Sequence, residues 1–459
     1  MKKIVQKAGP LLALSTLVFT STIGCSVVDS DEKVAEASGT KIKNVVVLIG
    51  DGMGPSSMVA HRYMKDNPNT KEMEKTSFDQ YFIGTQMTYP EDEHENITDS
   101  ASAATAMSTG VKTYNAAIAV DNDKQPVKTV LEQAKEKGKA TGLVATAQIT
   151  HATPAAFGAH NVSRKNMNEI ANDYFDEKVN GNHKVDVLLG GGLDNFVRDD
   201  RDLTEEFKKV GYSYVTNREQ LLNDKNEQVL GLFAPGGLDK AIDRDIETPS
   251  LEDMTKAAID RLNKDKDGFF LMVEGSQIDW ANHDNDVVAA MSEMEDFEKA
   301  FKAVIDFAKK DKETLVIATA DHSTGGFTVG VDGNFNFDVS VLKSAKRTPD
   351  FMAKLIVNGA SVEETLKTNV DLEFTPEEIA SVNKAALTKD VKQIDNAIEK
   401  IFDVRSHTGW TTSGHTGEDV GVYAYGPGKY AFSGLQENTN LAKRVFDILG
   451  GGDPNKDRY

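Results

Sequence analysis

The sequence predicts an α/β fold: a three-layer α/β/α sandwich around a mostly parallel sheet, with a helical insertion. Three observations carry this. Short, wholly apolar runs rich in β-branched residues recur along the chain and end in glycine or polar residues, as strands buried on both faces do. Helical patterns lie between these runs, the alternation of a parallel sheet covered by helices. Residues 338 to about 405 carry charged helical patterns, including "TPEEIASVNKAALTKDVKQIDNAIEKIF", with no strand run, so they read as an insertion decorating the core.

Taken in order, the chain opens like an export signal. Lys2, Lys3 and Lys7 make a basic start, "LLALSTLVF" (11–19) is apolar, and Thr22-Ile23-Gly24-Cys25 follows, the pattern of a bacterial lipoprotein signal. This stretch is too short to span a membrane, so residues 1–25 read as a lipoprotein-type signal, with cleavage expected before Cys25 and lipid on that cysteine. Residues 26–40, "SVVDSDEKVAEASGT", are polar and acidic and read as a flexible tether. The folded domain is then 41–459. Its strands are expected in "NVVVLIGDGMG" (44–54), "ATGLVATAQITHATP" (140–154), "KVDVLLGGG" (184–192), "GFFLMVEGSQIDW" (268–280), "ETLVIATADHSTGG" (313–326) and "VGVYAYGPG" (420–428). Its helices are expected at 127–138, closed by Gly138, at 250–265, opened by Ser250, and along the amphipathic 287–310.

The formal charge is −20, with 72 acidic against 52 basic residues. Such a surface excludes nucleic acid as a partner, because phosphate backbones need a basic face. It also means that an anionic substrate would have to find its positive charge inside the site. Cys25 is the only cysteine, so the processed chain has no internal disulfide even in a compartment that permits one.

The chemistry collects at strand ends, where ligands bind in open α/β sheets. Asp51 follows VVVLIG. Glu274 follows FFLMV, with Asp279 and His283 beyond it, spaced so that one helix face presents a carboxylate and an imidazole. Asp321 and His322 follow LVIATA, His151 and Thr153 follow GLVATAQIT, and His415 precedes the last strand. So many acids at the ends of buried strands would be costly without a cation, and Asp, Glu and His together suit Zn²⁺ and Mg²⁺. In "ITDSASAATAMSTG" (97–110), Thr98 or Asp99 can cap a helix that places Ser100 at its N-terminus, where N–H groups favour an anion. A serine oxygen beside zinc has a lowered hydroxyl pKa and needs no histidine base. The chain has no G-x-S-x-G elbow, which argues against an ordinary esterase triad.

"LIGDGMG", "TDSASAATAMSTG", "THATPAAF", "EGSQIDWANH", "TADHSTGGF" and "SGHTG" resemble, in order, the motifs of the alkaline phosphatase family, over most of the chain from about 43 to 430. The resemblance implies hydrolysis of many phosphate monoesters to alcohol and inorganic phosphate, through a phosphoserine on Ser100, with two zinc ions and one magnesium ion. It implies that Asp279, His283 and His415 hold the first zinc, that Asp51, Asp321 and His322 hold the second, and that Asp51, Thr153 and Glu274 hold the magnesium. Arg164, in "HNVSR", matches the arginine that clamps phosphate oxygens and would supply the local positive charge. Other members carry Asp where His151 stands and Lys where Trp280 stands, which places both residues beside the third metal. A homodimer is implied as well. Export to a lipid-anchored or periplasmic location follows from the N-terminal signal. His61, His94, His160, His183 and His407 receive no role. Two rivals remain at this point: a phosphodiesterase or sulfatase on the same fold, which would usually carry Thr or a modified Cys at the position of Ser100, and a lipid-anchored solute-binding protein, which would not explain the strand-end acids and histidines.

Overall fold

The structure, a computed structural model, describes residues 41–458. The expected signal (1–25), Cys25 and the tether (26–40) lie outside the described residues. Among the described residues no helix is long and apolar enough to cross a membrane.

One ten-stranded sheet organises the chain. Its strands are β1 (Asn44–Gly50), β2 (Phe82–Met87), β3 (Ala140–Gln148), β4 (Val187–Gly191), β5 (Ser213–Val215), β6 (Val229–Leu232), β7 (Phe269–Gly275), β8 (Thr314–Ala320), β9 (Val420–Tyr425) and β10 (Gly434–Glu437). Their order across the sheet is β10-β2-β9-β8-β1-β7-β3-β4-β6-β5. β9 runs antiparallel to both its neighbours, and the other ladders are parallel. The central strand β1 is buried at every position between β8 and β7, which is why NVVVLIG reads as an unbroken apolar run.

The two faces of β1 feed two cores. Val46 and Leu48 pack with α5 (Leu251–Leu262) and α7 (Val287–Asp311). Val45, Val47 and Ile49 pack with α2 (Ser100–Thr109), α3 (Val130–Glu136), α4 (Ala152–Gly158) and α9 (Thr439–Leu449). This is the three-layer α/β/α arrangement expected from the sequence. The helix starts are chemically specified: Ser250 and Thr129 each form a capping box, and Asp286 caps α7 by accepting from Ala289 N at 2.9 Å.

Residues 339–406 form five helices joined by short turns, the last of them α8 (Val391–Ser406), and their apolar faces join the α5–α7 core. The remaining helices used below are α1 (Pro55–Lys65) and α6 (Gln277–Asp284), which leaves the end of β7. The reversed direction of β9 matters for function. Its N-terminal end lies at the same sheet edge as the C-terminal ends of the parallel strands, so residues entering β9 meet residues leaving β8.

A candidate active site at the carboxyl edge of the sheet

Each strand-end group predicted from the sequence arrives at this one edge. Asp51 leaves β1 in a turn whose next residue, Gly52, has φ +69°, and a Cβ there would lie 2.7 Å from Asp279 Cα. Glycine is therefore required twice, for its backbone conformation and for the close approach. Gly52 N donates to Asp321 Oδ1 at 3.1 Å, tying the ends of β1 and β8 together. A short antiparallel ribbon pairs Ser323–Thr324 with His415–Thr416, and this brings His415 beside the β8 exit.

Three groups of ligand-type side chains result: Asp279, His283 and His415; Asp51, Asp321 and His322; and Asp51, His151 and Glu274. Within each group the ligand atoms lie within 4.8 Å of one another. Trp280 meets the His151 ring edge-on at 5.7 Å between centroids. His151 belongs to the third group, with Asp51 and Glu274. Thr153 is buried in the first turn of α4, and its hydroxyl has no hydrogen-bond partner.

The imidazole tautomers are set by acceptors behind the rings. His283 Nδ1 lies 2.6 Å from the Ser413 carbonyl, and His415 Nδ1 lies 2.8 Å from the Thr98 carbonyl. A carbonyl can only accept, so each Nδ1 carries a proton and each Nε2 is the ring nitrogen turned toward the site. Those two Nε2 atoms face each other at 3.0 Å, with Asp279 Oδ2 3.3 Å from His283 Nε2. Two imidazole nitrogens and a carboxylate thus converge on one point, where either a proton or a metal cation can bridge them. Thr324 Oγ1 donates to Asp279 Oδ1 at 2.5 Å and lies 3.2 Å from His322 Nδ1, so the His322 Nε2 lone pair likewise points inward. That nitrogen is 3.4 Å from Asp51 Oδ1, 3.3 Å from Asp321 Oδ2 and 3.2 Å from Ser100 Oγ.

The carboxylates give the same answer. Both oxygens of Asp51, both of Glu274 and Oδ2 of Asp321 are buried without any hydrogen-bond partner. Burial, reinforced by the neighbouring acids Asp321, Asp279 and Glu274, pushes Asp51 well above the ordinary carboxylate range. Asp321 rises to about 8 through burial and then Asp279, and burial takes Glu274 to about 7. Asp279 is the exception: burial pushes it up, but the His283 hydrogen bond and the surrounding imidazoles outweigh this and hold it low. Burial, followed by His415, drives His322 far below the usual imidazole range, and burial with Arg164 lowers His151 to about 3. Protons and metal ions compete for such groups, and a set of clustered Asp, Glu and neutral His donors is one that divalent cations fit.

Ser100 is the first residue of α2, and Asp99, not Thr98, is its N-cap, accepting from Ser102 N at 2.9 Å. The other Asp99 oxygen accepts from Arg164 Nη1 at 3.0 Å, while Arg164 Nη2 lies 3.1 Å from His151 Nε2. Asp99 as the partner of Arg164 was not legible from sequence, nor were the carbonyls of Thr98 and Ser413 or the Thr324 hydroxyl. A capping motif at 98–102 and the threonine of TADHST were the available signals.

The alkaline phosphatase family model matches residues 42–450. Alkaline phosphatase 3 of Bacillus subtilis (strain 168) is 64% identical over 453 residues, covering 98% of each chain. Among solved structures, a cold-active alkaline phosphatase from the psychrophile Shewanella sp. has 40% identity and a TM-score of 0.84, covering 89% of this chain and all of that one. A His-to-Asp mutant of the alkaline phosphatase from the Antarctic bacterium TAB5, with Mg bound in the M3 site, has 31% identity and a TM-score of 0.64, covering 89% and 98%.

Proposed function

The chain belongs to the alkaline phosphatase family and is a metal-dependent phosphate monoester hydrolase, and we propose that Ser100 is its nucleophile and that two zinc ions and one magnesium ion complete its site. Asp279, His283 and His415 would hold one zinc, and Asp51, Asp321 and His322 the other. Asp51, Thr153 and Glu274 would hold magnesium, with His151 and Trp280 alongside. The observation that carries this reading is the convergence of the His283 and His415 Nε2 atoms, 3.0 Å apart, with the Asp279 carboxylate, at a site whose other buried carboxylates lack hydrogen-bond partners. Bound there, the metals supply Lewis-acid stabilisation of developing charge and lower the pKa of oxygens they contact.

The chain's own residues do the rest. Ser100 Oγ, its hydroxyl proton released to solvent, attacks phosphorus in line; the Oγ–P bond forms, and the bond from phosphorus to the ester oxygen breaks. That oxygen leaves with the electron pair and gains a proton to become the alcohol. Arg164 and the N–H groups at the start of α2 bind the nonbridging oxygens, where charge is greatest. Water then attacks the phosphoserine, the P–Oγ bond breaks, and Ser100 regains its proton as inorganic phosphate departs. His322 Nε2 is within reach of the Ser100 hydroxyl, but a lone pair committed to a cation cannot also take that proton. His322 is therefore a ligand in this account and not a general base.

The test is hydrolysis of p-nitrophenyl phosphate before and after EDTA, with bound metal counted by elemental analysis. Activity should vanish with the metal and return with zinc. Full turnover by metal-free protein would contradict the site assignment. Bis(p-nitrophenyl) phosphate and p-nitrophenyl sulfate in the same assay distinguish the diesterase and sulfatase alternatives, for which a serine nucleophile gives no support.

Outside the described residues, the lipoprotein-type start supports export and a membrane anchor through lipid on Cys25, with 26–40 as tether and 41–459 as the catalytic domain carrying the 338–405 insertion. One acyl chain binds membranes only marginally, so a stable anchor needs two or three. Cys25→Ser should shift the protein from the membrane fraction to a soluble or uncleaved form. An unmodified mature start downstream of Cys25 would overturn this. A homodimer is the assembly the family resemblance supports.

A further inference from the structure

We propose that Asn115 is a positioning residue for phosphate capture: its side-chain amide locks the turn that carries Asp99 and thereby fixes the fork of Arg164. The proposal rests on the reading of Arg164 as the phosphate-binding arginine.

Asn115 lies 16 residues from Asp99, in the loop after α2, and its amide is used at every valence. Asn115 Oδ1 accepts from Asp99 N at 2.9 Å and lies 2.8 Å from Ser102 Oγ. Asn115 Nδ2 donates to the Ile97 carbonyl at 3.0 Å and to Glu95 Oε2 at 2.6 Å. An amide has two acceptor lone pairs and two donor hydrogens, so these four contacts exhaust it. The turn 97–99 is therefore held on both sides by one side chain. Asn115 is itself anchored, because its backbone N–H donates to Asp92 Oδ2 at 3.0 Å.

The next residue completes the device. Ala116 has φ +75°, a conformation that a residue with a Cβ adopts only when its surroundings impose it. In that conformation Ala116 N donates to Asp99 Oδ2 at 3.0 Å, and the Ala116 carbonyl accepts from Arg164 N at 2.8 Å. Arg164 is thus gripped twice from the 115–116 turn, at its backbone directly and at its guanidinium through Asp99. The fork can meet a tetrahedral phosphate with two nitrogens only if its plane is preset, since a mobile arginine loses that gain to side-chain entropy. Asn115 contacts neither the candidate metal ligands nor the nucleophile's oxygen; the turn it holds also carries the Thr98 carbonyl behind His415, so bound zinc is the readout that separates an effect through Asp99 and Arg164 from one through His415.

The experiment measures competitive inhibition by inorganic phosphate, with kcat, KM, bound zinc and melting temperature, in four proteins: wild type, Asn115→Ala, Arg164→Ala and the double variant. The expected result is that Asn115→Ala weakens phosphate inhibition roughly tenfold, the scale of one charge-assisted contact. Bound zinc should be unchanged. In the Arg164→Ala background the same substitution should change phosphate inhibition by less than about twofold, because the two act as one unit. Equal weakening in both backgrounds would mean a merely structural role and would overturn the proposal, as would wild-type inhibition in Asn115→Ala. If Arg164→Ala alone leaves phosphate inhibition intact, the reading of Arg164 fails instead. Should Asn115→Ala not fold, Asn115→Asp keeps the volume and the acceptor but loses both donors facing Ile97 O and Glu95. It is expected to weaken phosphate inhibition as Asn115→Ala would, and normal inhibition in that variant would overturn the proposal.

Discussion

Ser100 owes its chemistry to position: it is the first residue of a helix capped by Asp99, with its hydroxyl 3.2 Å from His322 Nε2. Ser100→Ala should therefore lose several orders of magnitude in kcat, roughly the contribution of a positioned covalent nucleophile. It should keep its metals, because the orphaned carboxylates and imidazoles remain; wild-type turnover by purified Ser100→Ala would remove this serine from the mechanism. His151 carries the second prediction at this scale. It sits with Asp51 and Glu274, where magnesium prefers oxygen donors and an imidazole offers nitrogen. His151→Asp should tighten magnesium binding and make activity depend more strongly on added Mg²⁺. Identical magnesium titrations and identical metal content in zinc-loaded wild type and mutant would exclude His151 from that site. His151 was legible in the sequence because it follows an apolar strand run, and Ser100 because it follows a helix-capping pair, Thr98-Asp99. The residues that orient them were not, since Thr324, Asn115 and the carbonyls of Thr98 and Ser413 look like ordinary loop positions until the β8–β9 edge is assembled.

At the scale of elements, the central strands were readable and the outer ones were not. β1, β7 and β8 are buried on both faces and spell continuous apolar runs. β2 and β10 are short and partly exposed, β5 has three residues, and β6 has four, so their sequences carry little signal against the loops around them. The strand β9 was legible in VGVYAYGPG, but its reversed direction has no sequence signature, and that direction delivers His415 to the site. α8 presents the clearest electrostatic strain of any element outside the site. Asp395 and Glu399, one turn apart on it, are mostly buried with an unpartnered oxygen each. Burial, and then neighbouring carboxylates including Asp286 at the start of α7, pushes Asp395 up to about 8 and Glu399 up to about 10. The folded protein thus keeps protons that the unfolded chain has released, so these groups stabilise it fully at acid pH. That contribution is lost as pH rises from the ordinary carboxylate range through about 8 and above. The melting temperature of the metal-loaded enzyme should fall between about pH 6 and pH 9.5, and Asp395→Asn with Glu399→Gln should flatten that decline. Parallel pH profiles for the two proteins would contradict this account of the α8 interface.

At the scale of the molecule, the parallel strands together with the reversed β9 place the candidate ligands at one edge, and the chain's net charge of −20 leaves the positive field to bound cations and Arg164. The central claim is that this edge transfers a phosphoryl group to Ser100 and then to water. Its most direct measurement is acid quenching of the zinc- and magnesium-loaded enzyme during incubation with inorganic phosphate or p-nitrophenyl phosphate, followed by peptide mass spectrometry. The account predicts a phosphoryl group on Ser100, present in the wild type, absent from Ser100→Ala and absent after metal removal. A phosphoryl group on another residue of the site, or one retained in the Ser100→Ala protein, would contradict it.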